Sequence, residues 1–237
     1  MERASILPRP WRRRCSLAFL AALAACLLQS ACVRHAAGGN DDSICLGDEL
    51  CRYEEADRAQ PPPRNATLFI GSSSIRLWDT LKEDFPGLRL LNRGFGGSTI
   101  ADCVKAVPRI VAPYAPKQIV FYAGDNDIAA GRLPTQVESD FRDFVSATRK
   151  QLPDVPIYFV SIKPSEARWQ FIDKVAETNA RIKRYADHTL GVFYVDVFTE
   201  MIGPDERPRR ELFRDDKLHM NRDGYKLWAA KLRPLLK

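Results

Sequence analysis

The sequence predicts an α/β sandwich built on one parallel sheet. Two observations predict it. Five short, mostly apolar β-rich runs recur along the chain, each three to six residues long and each followed by a helical pattern. The residues just beyond those runs are crowded with Gly, Ser, Asn, Asp and His, the types that carry chemistry at strand ends of such folds. The composition, 45% apolar and 28% charged over 237 residues, is that of a globular protein with a real core.

Taken in order, the expected strands are Thr67–Ile70, Arg89–Leu91, Gln118–Tyr122, Ile157–Ser161 and Val192–Val197. Runs this apolar fit strands covered on both faces, the situation of a parallel sheet between helices. The expected helices are Ser73–Leu81, Thr99–Val111, Thr135–Gln151, Trp169–His188 and Asn221–Leu236. In the third of these, Phe141, Phe144, Val145 and Thr148 recur at three- and four-residue spacing, one face of a helix.

The first 63 residues read differently. Residues 1–32 carry Arg12-Arg13-Arg14, then the apolar run Leu17–Leu28, then small residues, the layout of a signal peptide or lipoprotein signal. Cys26 after Leu23-Ala24-Ala25 and Cys32 after Gln29-Ser30-Ala31 are two candidate lipid-accepting positions, with cleavage after Ala31 as the alternative. The chain is therefore expected to be exported, as a periplasmic protein or a cell-envelope lipoprotein. Residues 33–63 read as a tether containing a short helix near Arg52–Ala59, ended by Pro61-Pro62-Pro63. Residues 64–237 are the folded domain.

Charge and cysteines narrow the function. Of the formal net charge of +6, the five arginines and one glutamate of residues 1–32 supply +4, leaving +2 for the rest and no case for nucleic acid. In an oxidising compartment Cys45 and Cys51, six apart, are candidates for a disulfide. Cys103 falls in a helical pattern and reads as a small buried residue. The cysteine spacing matches no zinc site.

Acyl transfer needs a nucleophile, a base and donors for an oxyanion. Of three histidines, His35 falls in the tether and His188 closes a helix; His219 alone falls in a strand-end loop, three residues after Asp216, which can hold its ring in one tautomer. Asp215 is an alternative orienter on spacing. Ser72, Ser73 and Ser74 follow the first strand at a helix start, Gly97 lies in a glycine-rich turn after the second, and Asn126 offers an amide after the third.

At this point the chain resembles the SGNH or GDSL esterases and lipases, over essentially all of residues 67–237. The resemblance is carried by Gly71-Ser72-Ser73-Ser74 with Trp78, by the block Asn92–Thr99, by Gly124-Asp125-Asn126-Asp127 and by Asp216-Lys217-Leu218-His219. It implies a flavodoxin-like, three-layer α/β/α fold with a five-stranded parallel sheet, no metal and no organic cofactor. It also implies Ser73 as nucleophile, a triad completed by His219 and Asp216, and an oxyanion hole of Ser73, Gly97 and Asn126. One departure stands out: Ser72 occupies the place where the family usually has Asp. The expectation is an exported serine esterase acting on small acyl esters, including acetyl esters of envelope carbohydrate. A carbohydrate O-acyltransferase and a non-catalytic glycan-binding module are the alternatives. A metal-dependent phosphoesterase using Asp125, Asp127, Asp216 and His219 is a weaker rival. Lys163, Arg168 and Trp169, after the fourth strand, are expected on the acceptor side.

Overall fold

Five parallel strands hydrogen-bond in the order β2-β1-β3-β4-β5, where β1 is Thr67–Gly71, β2 Leu90–Gly94, β3 Gln118–Tyr122, β4 Ile157–Val160 and β5 Val192–Val195. The structure is a computed structural model and describes residues 47–237. The expected parallel α/β sheet is therefore present. The candidate lipidation sites Cys26 and Cys32, Cys45 and the signal segment lie outside the described residues. Cys51 is exposed and Cys103 is buried.

Two cores cover the two faces of the sheet. Leu68, Ile70, Ile119, Phe121, Ile157 and Phe159 point to one side, into a core shared with α4 (Ile100–Ile110), α6 (Pro134–Gln151) and α7 (Ile172–Asp187). Phe69, Val120, Tyr122, Tyr158 and Val160 point to the other, against α2 (Ser73–Arg76), α3 (Leu81–Asp84) and α8 (Arg222–Leu232). Alternation with period two along each strand produces the three layers.

Several boundaries differ from the sequence reading for local reasons. The helix expected over Ser73–Leu81 breaks into α2 and α3, because Trp78 turns into the core and donates its indole N–H to Asp84 Oδ2 at 2.8 Å. Strand β2 runs on to Gly94, where Asn92 donates to Ile75 O at 2.8 Å and accepts the Gly94 N–H at 2.9 Å. Strand β5 stops early because the Ser161 hydroxyl captures the N–H groups of Val197 and Phe198, each at 3.0 Å. Helix α8 ends before Pro234, which lacks the N–H to continue it. A short helix, α5 (Asp125–Ala129), occupies what reads as a loop.

The helix expected near Arg52–Ala59 begins at Gly47. This helix, α1 (Gly47–Ala59), is not a free part of a tether: its Leu50 is fully buried in the core beside α4.

Strand order reverses between β1 and β3, so a crevice opens beyond their carboxyl ends. Gly71, at φ +141°, closes β1 there; a Cβ on it would stand 1.8 Å from Tyr122 O. Only glycine permits that approach. The Gly71→Ala variant is expected to lose on the order of 2 kcal/mol or more of stability, read as a lower midpoint in denaturant unfolding; an unchanged midpoint contradicts this close packing.

Candidate active site

Ser73 opens α2, directly after β1, and is half-buried. Ser72 precedes it as N-cap, buried, with its N–H donated to Tyr122 O at 2.9 Å and its carbonyl accepting from Ile75 and Arg76. These backbone bonds hold the turn at the position where the family usually has Asp.

His219 comes from the far end of the chain. Its Nε2 lies 3.0 Å from Ser73 Oγ, and its Nδ1 lies 2.7 Å from Asp216 Oδ2. A carboxylate only accepts, so the contact places the ring proton on Nδ1 and leaves Nε2 to accept from the serine hydroxyl. Asp216 Oδ1 in turn accepts the N–H groups of Leu218 at 2.9 Å and His219 at 2.8 Å. Partial burial works against the Asp216 charge, but the hydrogen bonds from the His219 ring and from the two backbone N–H groups outweigh it and hold the carboxyl at about 2. Asp215, the alternative orienter, is exposed.

The loop 213–221 is fixed by its own bonds and by α8. Asn221 caps α8 by accepting from Asp223 and Gly224, and it donates to Glu211 O at 2.8 Å and Phe213 O at 3.1 Å. Arg214 donates to Met220 O at 2.9 Å. Tyr225, one turn into α8, donates its hydroxyl to Ser74 O at 3.0 Å and stacks on Trp78. The helix after His219 is thereby tied to the helix of Ser73.

The turn 94–99 lies between the ends of β1 and β3. Phe95 N–H donates to Gly71 O at 2.9 Å, and Asn126 Nδ2 donates to Ser98 O at 3.0 Å. Gly97, exposed at φ +74°, adopts a left-handed conformation that favours glycine. Thr99 and Asp102 cap α4 reciprocally.

Asn126 is held from behind. Arg168 Nη2 donates to its Oδ1 at 2.9 Å, which fixes the amide so that its N–H₂ faces the Gly97 turn. Arg168 Nη1 is an ion-pair partner of Asp125 Oδ1 at 2.7 Å, a close contact rather than an aligned hydrogen bond. Lys163 donates to Asp125 Oδ2 at 3.0 Å. Burial opposes the charge on Asp125, but Lys163 and then Arg168 outweigh it and keep the carboxyl below the usual carboxylate range. Lys163, expected on the acceptor side, is instead 2% exposed and spent on this pair.

The four groups named for a phosphoesterase go separate ways: Asp125 to the two cations, Asp127 to the Ile100 N–H, and Asp216 to His219. Among the described residues no three His, Cys, Asp or Glu side chains gather as a metal-holding group. Of the framework residues Arg168, Asn221 and Tyr225, only Arg168 carries a sequence signal, its place after the fourth strand.

The GDSL-like lipase/acylhydrolase family model matches residues 71–227, from the end of β1 into α8. The chain belongs to that family. Solved structures of the same fold surround this acylhydrolase-family chain at low identity. A candidate platelet activating factor from Streptococcus pneumonia is 20% identical with a TM-score of 0.70, covering 80% of this chain and 92% of its own. A GDSL-like lipase from Bacteroides thetaiotaomicron is 19% identical with a TM-score of 0.66, covering 78% and 95%. A carbohydrate esterase family 3 protein from Talaromyces cellulolyticus is 17% identical with a TM-score of 0.55, covering 71% and 95%. No curated protein matches the chain.

In this GDSL-like site Asp127 is fully buried, and burial raises its carboxyl to about 6 despite the Ile100 N–H bonds at 3.0 and 3.2 Å. A carboxyl whose folded value lies above its unfolded one stabilises the fold fully below about pH 4, and that contribution is lost as pH rises through about 6. Asp127→Asn keeps the acceptor and removes the charge. Its denaturation midpoint is expected to match wild type near pH 4 and exceed it at pH 7; a gap independent of pH contradicts the assignment.

Proposed function

We propose that this member of the family is an esterase that uses Ser73 as nucleophile, His219 as general base and acid, and Asp216 to orient and stabilise the imidazolium. The observation that carries the reading is the contact chain Asp216–His219–Ser73, at 2.7 and 3.0 Å. Ser73 Oγ attacks the ester carbonyl carbon while its proton passes to His219 Nε2. The oxyanion accepts hydrogen bonds from the N–H groups of Ser73 and Gly97 and from the Asn126 amide, whose orientation Arg168 fixes. The carbon–oxygen bond to the alcohol then breaks, and the alcohol leaves with the proton from His219. Water attacks the acyl-enzyme, giving its proton to His219 and releasing the acid as Ser73 recovers its hydrogen.

Small acyl groups fit better than bulk lipid. The large apolar side chains exposed among the described residues are Leu133, Leu190, Phe193 and Leu235. None comes from the loops 71–76, 94–99, 124–127 or 214–219, so the mouth lacks the apolar surface that would engage a lipid phase. A polar alcohol is supported by a cleft of about 460 Å³ lined by Glu166, Trp169, Asp205, Arg207 and Arg210, whose Glu166 pairs at 2.7 Å with Lys217, two residues before His219. The fold shared with a carbohydrate esterase, together with the export-type segment at residues 1–32, supports acetylated envelope carbohydrate as the substrate class and the periplasm or cell envelope as the location.

On p-nitrophenyl acetate, Ser73→Ala or His219→Ala is expected to lower the rate by about 10⁴–10⁶ and Asn126→Ala by about 10²–10³. Asp216→Asn is expected to slow the enzyme far more than Asp215→Asn. A near-normal rate in Ser73→Ala contradicts the reading. Acetyl transfer to an added sugar that outpaces hydrolysis would favour the acyltransferase alternative.

A further inference from the structure

Glu49 stands outside every motif of the family, on a helix that the family model does not include. One of its carboxylate oxygens accepts the Gly96 N–H at 2.5 Å, and the other lies 3.3 Å from Arg76 Nε. Gly96 precedes Gly97 in the turn after β2, and Arg76 is the last residue of α2, which begins with Ser73. The Arg76 guanidinium covers Gly96 closely enough that a Cβ there would lie 3.1 Å from its Nε. A single carboxylate thus links the turn that carries one of the three proposed oxyanion donors to the helix that carries the nucleophile and a second.

The rest of α1 is fastened to the same strand end. Tyr53 donates to Gly94 O at 2.6 Å, and Asp57 pairs with Arg93 while accepting the Tyr114 hydroxyl at 2.5 Å. The Arg93 guanidinium lies over the rings of Tyr53 and Tyr114 at 4.7 and 5.1 Å. Glu54 grips Arg109 on α4 at 2.6 and 2.9 Å. Leu50, fully buried, anchors the helix in the core as well. The turn's far end is held separately, by the Thr99–Asp102 cap, by Asp127 on Ile100 and by Asn126 on Ser98. Between these anchors the peptide from Phe95 to Gly97 is glycine-rich, and Gly97 is exposed. A glycine pair samples many orientations unless something holds it.

We infer that Glu49 is a positioning residue for the oxyanion hole: by holding the Gly96 N–H and Arg76 together, it aims the Gly97 N–H at the same point as the Ser73 N–H. The inference rests on the esterase reading for its kinetic consequence, but not for its structural one. A donor displaced by about 1 Å loses up to a hundredfold in rate, and it loses it in the transition state, where charge sits on the oxygen, rather than in ground-state binding.

The test uses the full chain with Glu49→Ala and Glu49→Gln, beside wild type and Ser73→Ala. Glu49→Ala is expected to lower kcat on p-nitrophenyl acetate by roughly 10- to 100-fold with KM within about twofold. Glu49→Gln retains an acceptor for Gly96 but loses the oxygen and charge that hold Arg76, and is expected to recover kcat only in part, to within about tenfold of wild type and above Glu49→Ala. Independently of turnover, amide hydrogen exchange of residues 94–99 is expected to quicken by about tenfold or more in Glu49→Ala, while exchange in β1 and β3 is unchanged. An unchanged kcat in Glu49→Ala, equal losses in the two variants, or unaltered exchange at 94–99 overturns the inference. A wild type no faster than Ser73→Ala instead overturns the esterase reading, with the exchange measurement still deciding whether Glu49 holds the turn.

Discussion

The contact between Ser73 Oγ and His219 Nε2 closes a loop of 146 residues, and neither residue has any local means of finding the other. Bringing such distant groups within hydrogen-bond reach costs chain entropy that the contact itself does not offset. The offset comes from apolar burial around it. Trp78, Tyr225 and Trp228 pack as mutual neighbours beneath α2 and α8, and Tyr225 adds a hydrogen bond to the backbone of Ser74. Asp84, buried at the end of α3, accepts from Trp78 and Thr80 and pairs with Arg222 at the first turn of α8. The loop bearing His219 is anchored because the helix that follows it is clamped to the helix that bears Ser73.

Charge is arranged on the other side of the crevice with the same economy. Asp125 and Lys163, both buried, and the half-buried Arg168 form a set in which each charge has an opposite neighbour, and Arg168 reaches Asn126. Such a set is costly to desolvate and is a weak source of stability. What it supplies is direction: a guanidinium cannot accept a hydrogen bond, so the amide it touches can present only its oxygen to it. Glu49 plays the corresponding part for the backbone of the Gly97 turn. On the esterase reading, the Gly97 turn and the Asn126 amide are thus both oriented from outside by charged side chains.

Much of this was legible in the sequence, and the residues show why. Strands β1, β3, β4 and β5 announce themselves as apolar runs; Ser73, Gly97 and Asn126 fall within a few residues of a strand end, and Asp216 and His219 fall three apart just before the last helix. The turn types and spacings are local, so one sequence exposes them. The framework is not local. Glu49 lies 47 residues from Gly96, and Arg168 lies 42 from Asn126; on their own segments both look like ordinary charged surface positions. Lys163 reads as a lysine near a pocket until the buried Asp125 is seen beneath it. Helix α5 is hidden in the sequence because Gly-Asp-Asn-Asp is turn chemistry, and the start of α1 is hidden because its amino-terminal turn has little apolar character beyond Leu50. Trp78 broke a helical pattern that no local rule forbade.

The central claim, that these distant segments converge to activate one hydroxyl among three consecutive serines, is tested most directly by labelling with a fluorophosphonate and mapping the adduct. The reagent phosphonylates a serine, with loss of fluoride, only when a neighbouring base and oxyanion donors assist it. The account predicts a single adduct on Ser73, within the tryptic peptide 65–76, that disappears in His219→Ala. An adduct on Ser72 or Ser74, an adduct that persists without the imidazole, or no adduct on folded protein would contradict it.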